Sequence, residues 1–149
     1  MIRAAFAHVN LVARDWRALA GFYQAVFGCE VVPPERDYAG PDLAAATGIP
    51  GAHLRGVHLR LPSSTDGPTL EVYAYDELAP TTFPAVNRPG FGHIAFAVES
   101  VEEARAAFLA AGGSVVGEVV TSTTSAGTRV TWCYVRDPEG NVVELQRWG

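Results

Sequence analysis

Apolar and polar residues follow one another along this chain in an order that occurs twice. A short apolar strand beginning at His8 leads into a segment with helical spacing of apolar residues, Asp15 to Phe27. A second apolar strand begins at His93 and leads into a similar helical segment, Ser100 to Ala111. Both segments start with a residue type that favours a helix N-cap. The pattern therefore predicts a strand–helix unit and a second copy of it.

The two copies keep the same register through strand, helix and turn. His8 and His93 stand 85 positions apart, and so do Gly28 and Gly113, the glycines that end the predicted helices. Apolar runs separated by turn-forming residues predict three further strands in each copy. These strands are Val31-Val32, Val57 to Leu61 and Thr69 to Tyr75 in the first copy, and Val115-Val116, Arg129 to Val135 and Asn141 to Gln146 in the second. Each copy thus has the order βαβββ.

The copies define one domain of 149 residues built from two modules. Module 1 is expected at about 1–79, a linker at 80–89 and module 2 at about 90–149. Glu71 and Glu144 stand only 73 positions apart, so module 1 is the longer one. Its additional residues fall within 33–51, where Pro, Gly and Asp predict a long loop with a short helix at 42–46.

The element order predicts an α+β fold in which each helix covers one face of its own sheet. The opposite face of each sheet is then left open. We expect the two modules to pair their sheets into a curved cleft, which is the natural place for a ligand.

Ionisable residues interrupt four apolar strands at positions that the repeat relates to one another. A carboxylate inside a protein costs several kcal/mol unless it is paired or bound to a metal. Each residue alone has an ordinary explanation, a packed histidine or a solvent-facing glutamate. Together they make two nitrogen and two oxygen donors, a set that suits Zn, Ni, Co, Mn or Fe(II) and differs from a thiolate site. The four residues are His8, Glu71, His93 and Glu144.

Other polar residues give weaker signals. Asn10 shares a strand face with His8 and is a candidate hydrogen-bond donor to a substrate, or an exposed polar residue. His53 and His58 are five positions apart, so a strand directs them to opposite faces, and we expect surface or edge roles for both.

The charge balance excludes several classes of function. The net charge is −5 and all 11 positive side chains are arginine, so Schiff-base and P-loop lysine chemistry are excluded. Because the arginines are scattered, nucleic acid is not an expected partner. We see no membrane span and no signal peptide. Two cysteines, Cys29 and Cys133, are expected to be reduced thiols in a cytoplasmic protein.

Three segments resemble the vicinal oxygen chelate superfamily, which includes glyoxalases, bleomycin-resistance proteins and extradiol dioxygenases. The resemblance covers nearly the whole chain and implies paired βαβββ modules, one divalent metal ion per site, a small-molecule substrate and frequent homodimers. The segments are His8 to Leu11 with Phe22-Tyr23 and Phe27-Gly28, Gly92 to Phe96, and Asp137 to Leu145.

Within that superfamily, the metal-site pattern is most similar to that of glyoxalase I, a metal-dependent lyase. The resemblance implies that His8, Glu71, His93 and Glu144 hold the metal, which acts as a Lewis acid and lowers the barrier to an enediolate. It also implies that Glu144 or Glu71 is the catalytic base. We expect Asn10, Tyr73 and Phe91 to contact the substrate.

Two other functions remain open at the level of sequence. An Fe(II)-dependent extradiol-type dioxygenase would use His8, His93 and Glu144 and would leave Glu71 without a ligand role. A bleomycin-resistance-like binding protein would hold an aromatic compound without catalysis. Its pocket would be lined by Tyr73, Phe91, Trp132 and Trp148.

Overall fold

Each sequence repeat folds into a sheet that is covered on one face by a helix. The computed structural model describes residues 2–80 and 85–149. They divide into two compact units, Met1–Pro80 (unit 1) and Thr81–Gly149 (unit 2). The linker predicted at 80–89 falls partly on 81–84, which lies outside the described residues.

Unit 1 contains four strands and two helices in a mixed sheet. The sheet order is β1-β4-β3-β2, with β1 parallel to β4 and the other pairs antiparallel. Alternation places Val57, Leu59, Leu70 and Val72 on one face, where all four are buried together with Leu19 of the covering helix. Each such side chain contributes about 1.5–3 kcal/mol on burial. The elements are β1 (His8–Val12), α1 (Trp16–Phe27), β2 (Glu30–Ala39), α2 (Pro41–Thr47), β3 (His53–Arg60) and β4 (Thr69–Tyr75).

Unit 2 repeats this arrangement with one strand more than predicted. The sheet order is β5-β9-β8-β6, and β7 pairs with the remaining length of β8. All residues of β7 are exposed, so the apolar alternation that marks a half-buried strand is absent and the sequence did not predict it. The elements are β5 (Ile94–Ala97), α3 (Val101–Ala110), β6 (Ser114–Val115), β7 (Val120–Thr123), β8 (Arg129–Arg136) and β9 (Val142–Trp148).

The predicted starts of the two long helices are confirmed. The Asp15 side chain accepts a hydrogen bond from the Ala18 amide, and the Ser100 hydroxyl accepts one from the Glu103 amide. Gly28 ends α1 in the left-handed conformation at φ 69°, which costs glycine little. In the ranges 2–80 and 85–149, no helix is long and apolar enough to cross a membrane.

The long loop predicted at 33–51 is only partly correct. The helix expected at 42–46 is present as α2, but residues 33–39 continue β2. The strand resumes after a register shift between Val32 and Arg36, and Arg36 to Ala39 then pair with Gly56 to His53. Since β2 is an edge strand, prolines 33 and 34 are tolerated because they remove no hydrogen bond from the sheet interior.

Candidate metal centre

Glu71 lies at the centre of the open face of the unit 1 sheet. It points away from Leu70 and Val72, whose side chains pack under α1. Strand register places Asn10 of β1 on one side of Glu71 and His58 of β3 on the other. We call this surface the polar face of unit 1; it carries His8, Asn10, His58, Glu71 and Tyr73.

Three side chains converge on the Glu71 carboxylate. The Nδ1 atom of His8 is 3.5 Å from Oε1, and the Nε2 atom of His58 is 3.0 Å from the same oxygen. The Asn10 amide donates to Oε2 over 3.5 Å. Glu71 is only 8% exposed, so these contacts supply the partners that a buried carboxylate needs.

Tyr73 extends this network on the same face. Its hydroxyl oxygen is 2.6 Å from His58 Nε2, and a hydrogen bond to Glu71 is one of the influences on its ionisation. Burial, followed by the nearby Glu71 charge, raises the pKa of Tyr73 to about 12, so the phenol keeps its proton. The ring lies against Gly56 of β3, where a Cβ atom would clash with it and would come 2.8 Å from the Tyr73 Cα. Gly56 therefore makes room for the tyrosine.

His58 is a site residue that sequence reasoning missed, because we expected it to have a surface or edge role. Burial is the main cause of its lowered pKa, although the Glu71 charge opposes the shift. The opposite-face prediction for His53 and His58 is correct. Buried Val57 and Leu59 on either side of His58 show which face it shares with Glu71, and this signal was available in the sequence.

Unit 2 brings its predicted residues together in a similar way. Glu144 of β9 is in register with Ala95 of β5 and Tyr134 of β8. The Nε2 atom of His93 lies 2.9 Å from Glu144 Oε2. We call this surface the polar face of unit 2; it carries His93, Ala95, Trp132, Tyr134, Glu144 and Gln146.

Aromatic rings surround this second pair. The Tyr134 ring centroid is 5.1 Å from that of His93 and 5.2 Å from that of Trp132. Burial, then the Glu144 charge and a hydrogen bond to it, raises the pKa of Tyr134, whose hydroxyl therefore stays protonated beside the carboxylate. The Trp148 indole donates to the Gln146 side chain over 2.9 Å.

Phe91 is the predicted substrate residue with the fewest contacts. It lies ahead of β5, is 66% exposed, and takes part in no ring contact among the described residues. Its assignment to the site therefore stays a prediction.

The two histidine–glutamate pairs fit a divalent metal in donor chemistry. Each pair supplies one imidazole nitrogen and one carboxylate oxygen, which suit Zn, Ni, Co, Mn or Fe(II). Cys29 and Cys133 are buried, and burial raises the pKa of Cys29 to about 11, which disfavours the thiolate a metal would need. Within the described ranges, no three or more His, Cys, Asp or Glu side chains form a group that could hold a metal.

A separate cluster surrounds His53 on the other face of the unit 1 sheet. Its Nδ1 and Nε2 atoms lie 2.8 Å from Asp76 and 2.6 Å from Asp37, and Arg55 donates to Asp76. The hydrogen bonds to Asp37 and then Asp76 raise the pKa of His53. The expected surface role of His53 is confirmed.

Comparison with known proteins agrees with the observed architecture. Residues 8–146 match the family model described as a glyoxalase-like domain. No curated protein matches the chain.

Among solved structures, a glyoxalase family protein from Bacillus cereus is similar at 20% identity and TM-score 0.76, covering 99% of this chain and 95% of its own. A glyoxylase/bleomycin resistance protein/dioxygenase domain from Frankia sp. is 18% identical with TM-score 0.64 and 98% coverage of both chains. A glyoxalase I mutant from Zea mays is 16% identical with TM-score 0.64, covering 95% of this chain and 46% of its own. At these identities the likeness shows the fold alone.

Proposed function

We propose that this chain, which belongs to the family of glyoxalase-like domains, is a metal-dependent lyase or isomerase. Its substrate is a small molecule with two adjacent oxygens. One observation carries the proposal. At repeat-related positions, each unit holds a histidine against a glutamate on the sheet face that its helix leaves uncovered, His8 with Glu71 and His93 with Glu144.

We assign one divalent ion, Zn, Ni, Co, Mn or Fe, to the four donors of these two pairs. When bound, the ion supplies a Lewis acid that holds the adjacent oxygens and acidifies the carbon beside them. The protein residues must orient the substrate and move one proton. Asn10 and Tyr73 carry an N–H and an O–H donor on the polar face of unit 1, and we assign them to substrate orientation together with Phe91.

A glutamate carboxylate is the proposed proton carrier. Glu144 or Glu71 takes a proton from the carbon beside the substrate carbonyl and returns it to the neighbouring carbon. The electron pair of the broken C–H bond stays on the substrate, so isomerisation needs no external oxidant. We assign Tyr134, which is in register with Glu144, to orient the Glu144 carboxylate.

We also propose that the protein works as a homodimer. Phe6, Phe91 and Trp148 are each more than half exposed, and homodimers are frequent in the superfamily that the sequence resembles. Native mass spectrometry of protein purified without chelators reports the oligomer and the bound metal together. A dimer with one metal ion per chain is expected, and a metal-bound monomer would show that one chain supplies all four donors.

One observation favours a second candidate, an Fe(II)-dependent extradiol-type dioxygenase. Glu71 is already held by His58 and Asn10. If it keeps these partners, the remaining donors are His8, His93 and Glu144, a two-histidine, one-carboxylate set typical of non-haem Fe(II) oxygenases.

Single substitutions separate these functions. In a glyoxalase-type enzyme, Glu71→Ala and His93→Ala each lose metal and turnover, measured by elemental analysis and by assays with hemithioacetals and α-hydroxycarbonyl compounds. His53→Ala is the matched control, because His53 lies on the other face. Full metal occupancy in Glu71→Ala, with oxygen consumption on catechol after iron loading, would instead support the dioxygenase. A wild-type protein that binds no metal but binds aromatic ligands tightly would contradict both enzymes.

A further inference from the structure

Arg36 lies on the same face as the Glu71 network. The register shift in β2 places Arg36 opposite Gly56 of β3, and Gly56 is opposite Tyr73 of β4. Directly paired residues of neighbouring antiparallel strands project to the same side of a sheet. Since Gly56 has no side chain, nothing on β3 separates the arginine from the tyrosine in this row.

Among the residues that the structure describes, the Arg36 guanidinium has no acidic partner. It is half-buried, and among the described residues its one hydrogen bond goes to the Pro34 carbonyl oxygen. Other arginines of unit 1 differ, because Arg60 lies 2.8 Å from Glu30 and Arg17 lies 2.8 Å from Glu35. A half-buried guanidinium with unused donors is a ready partner for an anion.

Arg36 lies close enough to the Glu71 network to contact a substrate that is bound there. Arg36 and Tyr73 are both paired with Gly56, from opposite sides of β3, so Arg36 lies near the network that holds Glu71. Strands β2 and β4 are two strand spacings apart, about 10 Å. A small molecule bound beside Glu71 therefore reaches Arg36 across the Tyr73 ring, and β2 is an edge strand that leaves room on that side.

We propose that Arg36 binds a carboxylate group of the substrate, so that the substrate is a small acid with two adjacent oxygens and a carboxylate. This inference rests on the proposed function, because it assumes that the adjacent oxygens are held at the histidine–glutamate pairs. A carboxylate fits better than a phosphate, because a single guanidinium matches one planar monoanion with two parallel hydrogen bonds. No second unpaired cation of unit 1 is in register with Arg36 among the described residues.

Two closely related probes, only one of which carries a carboxylate, test this assignment. Both 3,4-dihydroxybenzoate and its methyl ester carry adjacent oxygens, but only the acid carries a carboxylate. Calorimetric titration of zinc-loaded protein is expected to show that the wild type prefers the acid by about tenfold or more, the size of one charge-assisted hydrogen-bonded contact. Arg36→Leu should abolish the preference while ester affinity stays within about twofold, and Arg36→Lys should keep part of it.

Arg60→Leu is the matched control, because Arg60 lies on the same strand face as Gly56 but is paired with Glu30. It should keep the preference for the acid. Equal affinity of the wild type for acid and ester, or an unchanged preference in Arg36→Leu, would overturn the role of Arg36 and leave the chelating site standing. If zinc-loaded protein binds neither probe, the chelating site itself is wrong and the inference fails with it.

Discussion

The two units hold their glutamates in different ways. In unit 1 the nearest His8 nitrogen is 3.5 Å from Glu71, and His58 is closer at 3.0 Å. In unit 2 His93 approaches Glu144 to 2.9 Å. Glu71 therefore depends on several weaker partners, whereas Glu144 depends mainly on its histidine and on Tyr134. The repeat preserves the pair but not the side chains that orient it.

The neighbouring strand positions explain this difference. Gly56 is paired with the residue two places after Glu71, and Trp132 is paired with the residue two places after Glu144. A glycine in unit 1 lets the Tyr73 ring reach across the sheet to His58, whereas an indole fills the corresponding space in unit 2. His58 itself stands where unit 2 has Tyr134, so differences at more than one position of the sheet give Glu71 its second histidine.

Adding one methyl group at Gly56 should have the largest effect. In Gly56→Ala the new Cβ would clash with the Val72 carbonyl oxygen and the Tyr73 ring. Backbone cannot yield as a flexible side chain does, so we expect a loss of about 1–3 kcal/mol or more in the free energy of unfolding, measured by urea denaturation.

Gly117→Ala is the control for this substitution. A Cβ at Gly117 meets no atom within 4 Å, so stability should change by less than about 0.5 kcal/mol. If Gly56→Ala were as stable as the wild type, a side chain at position 56 would fit beside Tyr73, and the glycine would not be what makes room for the tyrosine.

The next largest effect should come from removing the side chain that orients each glutamate, and it concerns metal affinity rather than the stability of the fold. His58→Leu removes the closest contact of Glu71, and residues that orient a metal ligand typically contribute 10–100-fold in affinity. Tyr134→Phe should cost less, because Glu144 keeps His93 at 2.9 Å. Competition titration with zinc measures both variants.

A conservative variant separates orientation from general damage. His58→Gln restores an N–H donor at this position and should recover part of the lost zinc affinity, whereas a purely structural defect would not respond to it. If Tyr134→Phe weakened zinc binding more than His58→Leu, our comparison of the two units would be reversed.

Much of the fold could be predicted because the spacing of apolar residues and the residues that end helices and strands indicate the same elements. Asp15 and Ser100 mark helix starts through hydrogen bonds of their own side chains, and Gly28 marks a helix end because glycine adopts a positive φ readily. Strand β4 was predicted to the residue, because an apolar run interrupted only by Glu71 follows a segment of turn-forming residues. Strand β7 and the second part of β2 could not be, since their pairing depends on β8 and β3 and leaves no apolar pattern.

The site was only partly predictable for a related reason. His8, Glu71, His93 and Glu144 stand out because polar residues interrupt apolar strands in both repeats. His58 and Arg36 have no such repeat partner. The apolar neighbours of His58 indicate its face, but its pairing with Glu71 and the position of Arg36 appear only once strand register is known. Register is a long-range property, and the shift between Val32 and Arg36 changes which side chains face Glu71.

The smallest effect concerns pH and is confined to unit 1, since the His53 cluster has no equivalent in unit 2, whose one histidine is His93. The hydrogen bonds to Asp37 and Asp76 raise the pKa of His53 above its ordinary 6.5. A raised folded-state pKa contributes stability that is fully present below pH 6.5 and is lost as pH rises through the folded value.

The free energy of unfolding of the wild type should therefore exceed that of His53→Gln, and the difference should be largest near pH 6. The difference should shrink as pH rises to about 9, because His53 loses its proton and glutamine does not titrate. Urea denaturation of both proteins across this range measures the difference. The excess should also fall at high salt, since the cluster is exposed. A constant difference between about pH 6 and pH 9 would mean that His53 is held by its neutral hydrogen bonds alone.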